Sequence, residues 1–384
     1  MRVSLTTIAA QWTRIGCIGF GGPPTHIALL RRLCVEQREW IAADEFEDGV
    51  AATNLLPGPA STQLAIYCAW RLRGTVGAII GGFCFIAPGL VVILALSVVF
   101  LSGHPPNWIL GAAAGAGAAV PAVAVHAASR LWPASWQRIG AGRADHLRWL
   151  SYAMLGAAAA VFFGPYLVVV LVACGFAEIV SRRDGWRPGP VSFRALPIVV
   201  GHTAAVGGVG ALAWVALKVG ALSYGGGFVI IPLMQHDAVS TYHWMTGAQF
   251  LNAVALGQLT PGPVVQTVAV VGYAAHGITG GLFAALLAFA PSFLFVLCGA
   301  PRFEQIRANK AVESFLTGAG PAVIGAIAGS AVPLGLALGH MWQVGVLALA
   351  ALWLFALRKG VVLAIAGAAV LGIVAALAGV QLSR

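Results

Sequence analysis

The chain has 384 residues, of which 59% are hydrophobic and only 9% charged, and its mean hydropathy is +0.89. A soluble globular domain carries about 25% charged residues, so the composition excludes one and points to an all-α polytopic membrane protein. The net charge of +10 does not imply a nucleic-acid partner, because the basic residues sit in short loops, where Lys and Arg set the orientation of membrane segments.

In chain order, the opening stretch MRVSLTTIAAQWTRIG places Gln11 and Arg14 inside any signal-peptide core and offers no cleavage site, so it is expected to be retained. Residues 4–34 predict two helical pieces broken at FGGP, around Gly21 and Gly22. The cluster DEFED (Asp44, Glu45, Glu47, Asp48) holds four of the twelve acidic residues. Acids in a first turn complement the helix dipole, so the cluster is expected to be a solvated helix start, with Asp48, aligned with Asn252, kept as the proton-coupling candidate. The segment 44–72 is interrupted by NLLPGPAST (54–62). It is expected to enter and leave on one membrane face, either as a re-entrant hairpin or as a pair of short helices. Apolar runs of spanning length follow near 75–101, 107–130, 149–163 and 165–181, the second containing the small-residue run GAAAGAGAA. A basic linker, SRRDGWRPGPVSFR, separates these from a run near 197–219 and a second break at YGGG (224–227). The segment 247–276 carries QLTPGPVVQ (258–266), and spans are expected near 278–300, 312–332, 340–357 and 360–381.

The two breaks recur because the chain is a repeat. At one constant separation Gly21–Gly22 falls on Gly225–Gly226, Trp40 on Trp244, Phe46 on Phe250, and Pro57–Gly58–Pro59 on Pro261–Gly262–Pro263. After a one-residue slip, Gly74 falls on Gly277 and Ala87–Pro88 on Ala290–Pro291. The expected domains are a first half over 1–180, a basic cytoplasmic linker over 181–196 and a second half over 197–384. Arg31, Arg32, Arg38, Arg71 and Arg73 flank the first break, whereas their counterparts carry no Lys or Arg; the later loop, with Arg302, Arg307 and Lys310, reverses the bias. Short cytoplasmic loops collect Lys and Arg, so the halves are expected in inverted topology, an internal symmetry shared by many secondary transporters.

Pro-Gly-Pro stops one helix and starts another, because proline removes a hydrogen bond and clashes with the preceding turn. In lipid each freed backbone group must find a partner, so the breaks are expected to face protein or a hydrated cavity. The helix after Pro59 presents free N–H groups and its positive dipole end, with Ser61, Thr62 and Gln63 adding polar side chains. Asn54 precedes the first break; Gln258 and Thr260 precede the second, and Gln266 follows it. Such termini favour an anion. The alternative is a packing kink, which the duplication with polar neighbours argues against. Gly21–Gly22 and Gly225–Gly227 are expected either as an anion nest or as close-packing small residues. Arg14 and Lys218 align with each other, each ahead of its glycine pair in an apolar helix. A charge in the bilayer costs about 2.5–3.5 kcal/mol on insertion scales, so the pair is expected either to bind the anion or to snorkel to an interface. His26 and His126 are expected to be packed and neutral. The six cysteines are scattered with no CxxC, so neither a disulfide framework nor a zinc site is expected.

These motifs, "FGGP", "EFEDGVAATNLLPGPAST", "LSYGGGFVIIPL" and "FLNAVALGQLTPGPVVQTVAVVGY", resemble those of the chromate ion transporter family, over nearly the whole chain and in its long two-domain form. The resemblance implies a bacterial inner-membrane exporter of chromate driven by a proton gradient or the membrane potential. It implies that Gly21, Gly22, Pro23, Asn54, Pro57, Gly58, Pro59, Lys218, Gly225, Gly226, Gly227, Gln258, Pro261, Gly262 and Pro263 are motif positions. Gln63 and Tyr67 stand where many relatives have an acidic residue and a histidine. The expected partners are chromate or sulfate, the lipid bilayer and, as an open alternative, a second copy of the chain. No cofactor or metal is expected. An enzyme is disfavoured by the absence of HExxH and GxSxG, and ATP drive by the absence of GxxxxGK[ST].

Overall fold

A computed structural model describes residues 3–101, 105–139, 142–162, 166–182, 208–223, 230–300 and 309–381, with the side chain of Leu55 excepted. The first half contains α1 (Leu5–Ile18), α2 (Pro23–Arg31) running into a π turn (Arg32–Gln37), α3 (Ala43–Leu55), α4 (Ala60–Phe100), α5 (Asn107–Gln137), α6 (Arg143–Phe162) and α7 (Leu167–Ser181). The second contains α8 (Val209–Leu222), α9 (Ile230–Gln235) with a π turn (His236–Thr241), α10 (Gly247–Leu259), a 3-10 turn (Val264–Gln266), α11 (Thr267–Gly299), α12 (Lys310–Leu336), α13 (Met341–Ala351) with a π turn (Leu352–Ala356), and α14 (Val361–Leu377). No strand occurs among the described residues. Four helical segments, those at Ala60–Phe100, Asn107–Gln137, Val264–Gly299 and Lys310–Leu336, are long and apolar enough to cross a membrane.

The elements match the sequence repeat closely. α1 and α8, and α3 and α10, begin and end at equivalent residues. α4 and α11 carry the same interruption, at Arg73–Gly74 and His276–Gly277, with Gly74 at φ 61° and Gly277 at φ 65°. The linker over 181–196 lies almost wholly outside the described residues, as do Gly225, Gly226 and Gly227 and the start of the span expected at 197–219. α5 runs on to Gln137, past the end expected at 130. Neither Pro121 nor Pro133 ends it, because packing on α12, α13 and α14 holds the helix through them.

Each Pro-Gly-Pro is the tip of a helical hairpin. A Cβ on Gly49 of α3 would lie 2.4 Å from Tyr67 of α4, and one on Gly257 would lie 2.0 Å from Thr267 Oγ1. The turns need glycine, since Gly58 has φ 116° and Gly262 φ 98°, a region that costs L-residues energy. After each hairpin the chain turns at Gly74 or Gly277 and continues as the long part of α4 or α11. α1 then runs parallel to that part. Trp12 lies beside Gly81 and donates to Ala65 O at 2.8 Å, and Gly16 lies beside Phe85. α8 meets α11 in the same way, with a Cβ on Gly220 only 2.0 Å from Ala288 O. The halves interlock: α5 packs on α13 and α14, α12 packs on α6 and α7, and α4 packs on α11. Glu178 of α7, buried among these helices, is paired with Arg148 at 3.1 Å and Arg182 at 2.7 Å.

Candidate functional site

A cavity of about 740 Å³ opens between the first-half corners and the helices around α5. One side is built from the broken segments. Phe20, Gly21, Gly22 and Thr25 come from the FGGP break, Thr53, Asn54, Gly58 and Ala60 from the first hairpin, and Gln258 and Val264 from the second. The consecutive positive φ angles of Gly21 (97°) and Gly22 (76°) turn the chain from α1 into α2. They leave backbone at the cavity wall where side chains would otherwise stand. Gln258 contributes to this wall and is buried, and its amide Nε2 has no hydrogen-bond partner.

The other side is basic. Val123, His126, Ala127, Arg130, Leu131 and Ala134 recur at helical spacing on one face of α5, and Arg138 caps its C-terminal end in the same register. Arg358 and Lys359, in the turn between α13 and α14, reach the same space. That turn is held by Lys359 N–H donating to Trp353 O at 3.2 Å and by Trp353 Nε1–H donating to Gly360 O at 3.3 Å. It keeps Arg358 at φ 53°, unusual for a non-glycine residue. His126 sits edge-on to Phe355 with ring centroids 5.5 Å apart, and its Nδ1 has no partner. Among the described residues no Asp or Glu lines the cavity. Arg130, Arg138, Arg358 and Lys359 therefore produce an uncompensated positive field, which low-dielectric walls focus.

Of the residues expected at a site, the structure brings Gly21, Gly22, Asn54, Gly58 and Gln258 to this cavity. Others serve the turns instead. Gln63 Nε2 donates to Pro57 O at 2.6 Å, and Ser61 is 3.2 Å from His26 Nδ1, whose Nε2 is 2.9 Å from Gly19 O. Thr260 donates to Leu256 O at 3.0 Å and Gln266 Nε2 to Ile86 O at 2.9 Å. The second corner is closed by packing: Gly262 N–H donates to Gly19 O at 2.9 Å, and a Cβ on Gly89 would lie 2.0 Å from Pro261 O. Pro59, Thr62 and Pro263 are buried beside these turns.

Arg14 and Lys218 are not brought together at the cavity. Arg14 is exposed and lines a separate small depression with Arg32 and Gln37. Lys218, its side chain largely covered, forms an ion pair with Asp237 of the π turn after α9. The residue equivalent to Asp237 in the first half is Leu33, so Arg14 has no matching acid there. Asp48 is exposed on α3 and does not line the cavity, whereas its equivalent Asn252 is buried against Gly117 of α5. The cations that do line the cavity were missed in the sequence. Their signal was the spacing of His126, Arg130 and Arg138, hidden by ending the helix at 130.

Two repeats of long apolar and broken helices around a basic cavity define the class, a multi-pass α-helical membrane protein. The model of the chromate transporter family matches residues 6–179 and 210–373, one region over α1–α7 and the other over α8–α14. The chain is 32% identical to the chromate transport protein of Cupriavidus metallidurans over 341 residues, covering 86% of this chain and 82% of that one. It is 28% identical to the probable chromate transport protein of Synechococcus elongatus, covering 97% and 95%, and 29% identical to the chromate transport protein of Pseudomonas aeruginosa, covering 86% and 81%. The chain belongs to the chromate transporter family. No solved structure matches it.

Proposed function

We propose that the protein is a secondary transporter that exports chromate across the bacterial inner membrane, with sulfate as the competing tetrahedral dianion. The observation that carries this reading is the cavity itself. It joins backbone of two broken segments and the unpaired Gln258 amide to Arg130, Arg138, Arg358 and Lys359, with no carboxylate in its described lining. A dianion leaving water loses hydration that fixed cations and N–H donors replace. The first hairpin supplies Gly58 and the start of α4, whose first N–H groups and positive dipole end suit an anion. The domains are read as 1–180, 181–196 and 197–384, the halves in inverted topology, the hairpins as re-entrant pieces. Drive comes from the membrane potential or a proton gradient, and alternating access from one half moving against the other.

The test is uptake of radiolabelled chromate into everted membrane vesicles carrying the protein, with unlabelled sulfate as competitor. Accumulation above that of empty-vector vesicles, reduced by sulfate, is the expected result. No accumulation of either anion rejects the reading.

A further inference from the structure

The two halves treat their aligned cations differently. Lys218 of α8 is paired with Asp237 of the π turn after α9, and only 9% of either side chain is exposed. In the first half Arg14 of α1 keeps the cation, but Leu33 stands where Asp237 stands, and a second arginine, Arg32, stands where His236 stands. Arg14 and Arg32 line one depression of about 120 Å³ between α1 and the α2 segment with its π turn, together with Gln11, Gln37, Ile18 and Leu29. Among the described residues no Asp or Glu lines it, and neither arginine side chain has a hydrogen bond or ion pair. The neighbouring acids are engaged elsewhere, Glu36 and Glu47 with Arg31.

The depression opens on an apolar outer surface. α1 runs along the part of α4 after Gly74, in a helix long and apolar enough to cross a membrane, and turns Trp12 and Gly16 toward it. Its other face exposes Ala10, Thr13, Arg14, Cys17 and Ile18 at helical spacing, and α4 over the same length exposes Val76, Ile79 and Phe83. Arg14 is the only charged residue of α1. Cα–Cβ bonds tilt toward a helix N-terminus, so its side chain slants toward the end of α1 where Arg73 donates to Val3 O at 3.0 Å and α4 turns at Gly74. A long basic side chain placed this way carries its head toward the lipid phosphates while its stem stays in hydrocarbon. Two cations in one depression repel each other unless an anion lies between them, and basic pockets between membrane helices take anionic headgroups. Gln11 and Gln37 add amide donors, and Ile18 and Leu29 give an acyl chain an apolar edge. The negative charge that the second half builds in is thus left, in the first half, to the membrane.

We propose that this depression binds one anionic phospholipid, with its phosphate between Arg14 and Arg32 and its acyl chains along the exposed stripe of α1. The site is separate from the cavity and stands whatever anion the cavity takes.

The full-length protein, purified in detergent, is titrated with phosphatidylglycerol or phosphatidylcholine and followed by native mass spectrometry, and its Tm is measured in parallel with each lipid and with inorganic phosphate. The expected result is one phosphatidylglycerol retained per chain at concentrations where phosphatidylcholine is lost, with a matching rise in Tm. Arg14→Gln and Arg32→Gln each remove one cation near the membrane surface and should weaken that binding about fivefold, and the double variant about 25-fold. Tm in detergent alone should stay within a few degrees of wild type, since both residues are exposed. Arg143→Gln, at an exposed arginine opening α6, should leave lipid binding unchanged. Leu33→Asp, which gives the first half the acid of the second, should release the lipid with both arginines still present. Equal retention of the two lipids overturns the proposal. Phosphatidylglycerol retained in full by the double variant overturns its location. A Tm rise with inorganic phosphate that the double variant abolishes, without selective retention of lipid, makes the depression a free-anion site instead. A dimer in the spectra that the double variant dissolves, again without retained lipid, makes it a contact between two copies of the chain.

Discussion

Replacing Arg130 by Gln removes one cation from the cavity wall and keeps its bulk and polarity. A sphere of 740 Å³ has a radius of about 5.6 Å, so a wall cation and a centred dianion are about 6 Å apart. At an effective dielectric of about 40, between protein-surface and bulk-water values, their attraction is about 2.8 kcal/mol. Screening over a Debye length of about 8 Å halves this to about 1.3 kcal/mol, or about tenfold in affinity. Arg130→Gln should therefore raise the KM for chromate in everted vesicles about tenfold at physiological ionic strength, more at low salt, with protein levels unchanged. Arg130→Lys keeps the charge and should stay within about threefold. Arg138→Gln and Arg358→Gln should behave like Arg130→Gln, and the triple variant should lose uptake. An unchanged KM in the triple variant would refute the electrostatic reasoning.

Three further outcomes follow from other contacts. Asp237→Asn strands Lys218 with its side chain largely covered; breaking a buried pair costs about 3–5 kcal/mol, so thermal stability should fall sharply, and Lys218→Met combined with Asp237→Leu should recover most of it. Arg14→Gln, at an exposed residue outside the cavity, should leave the chromate KM within about twofold, measured beside Arg130→Gln. Gly220→Val cannot be accommodated with Ala288 O 2.0 Å from the position of a Cβ. α8 should separate from α11, and the protein should fail to accumulate or unfold well below the wild type in a thermal ramp.

The breaks were legible in the sequence because proline and glycine act locally. Pro57–Gly58–Pro59 and its copy stop and restart helices, and the spans expected from 75 and 278 begin where Gly74 and Gly277 turn the chain. Helix ends were less legible where tertiary packing outweighs a local breaker, as α5 passing through Pro121 and Pro133 shows. The anion-attracting side chains were the hardest to see. The match of Arg14 with Lys218 is a true feature of the repeat, but one is exposed and the other is neutralised by Asp237, an acid 19 residues further along the chain. Arg358 and Lys359 fall in the gap between the spans expected at 340–357 and 360–381. Only the interlocking of the halves, which sets α13 and α14 against α5, brings them to the same space as Asn54 and Gly58.

If the anion sits in the cavity between the first hairpin and the basic face of α5, a cryo-EM map of the protein with chromate will locate it there. Density should appear within reach of Asn54, Gly58, Gln258 and Arg130, and it should vanish in the Arg130→Gln, Arg138→Gln, Arg358→Gln triple variant. Density beside Arg14 and Arg32, with the cavity empty, would contradict the account.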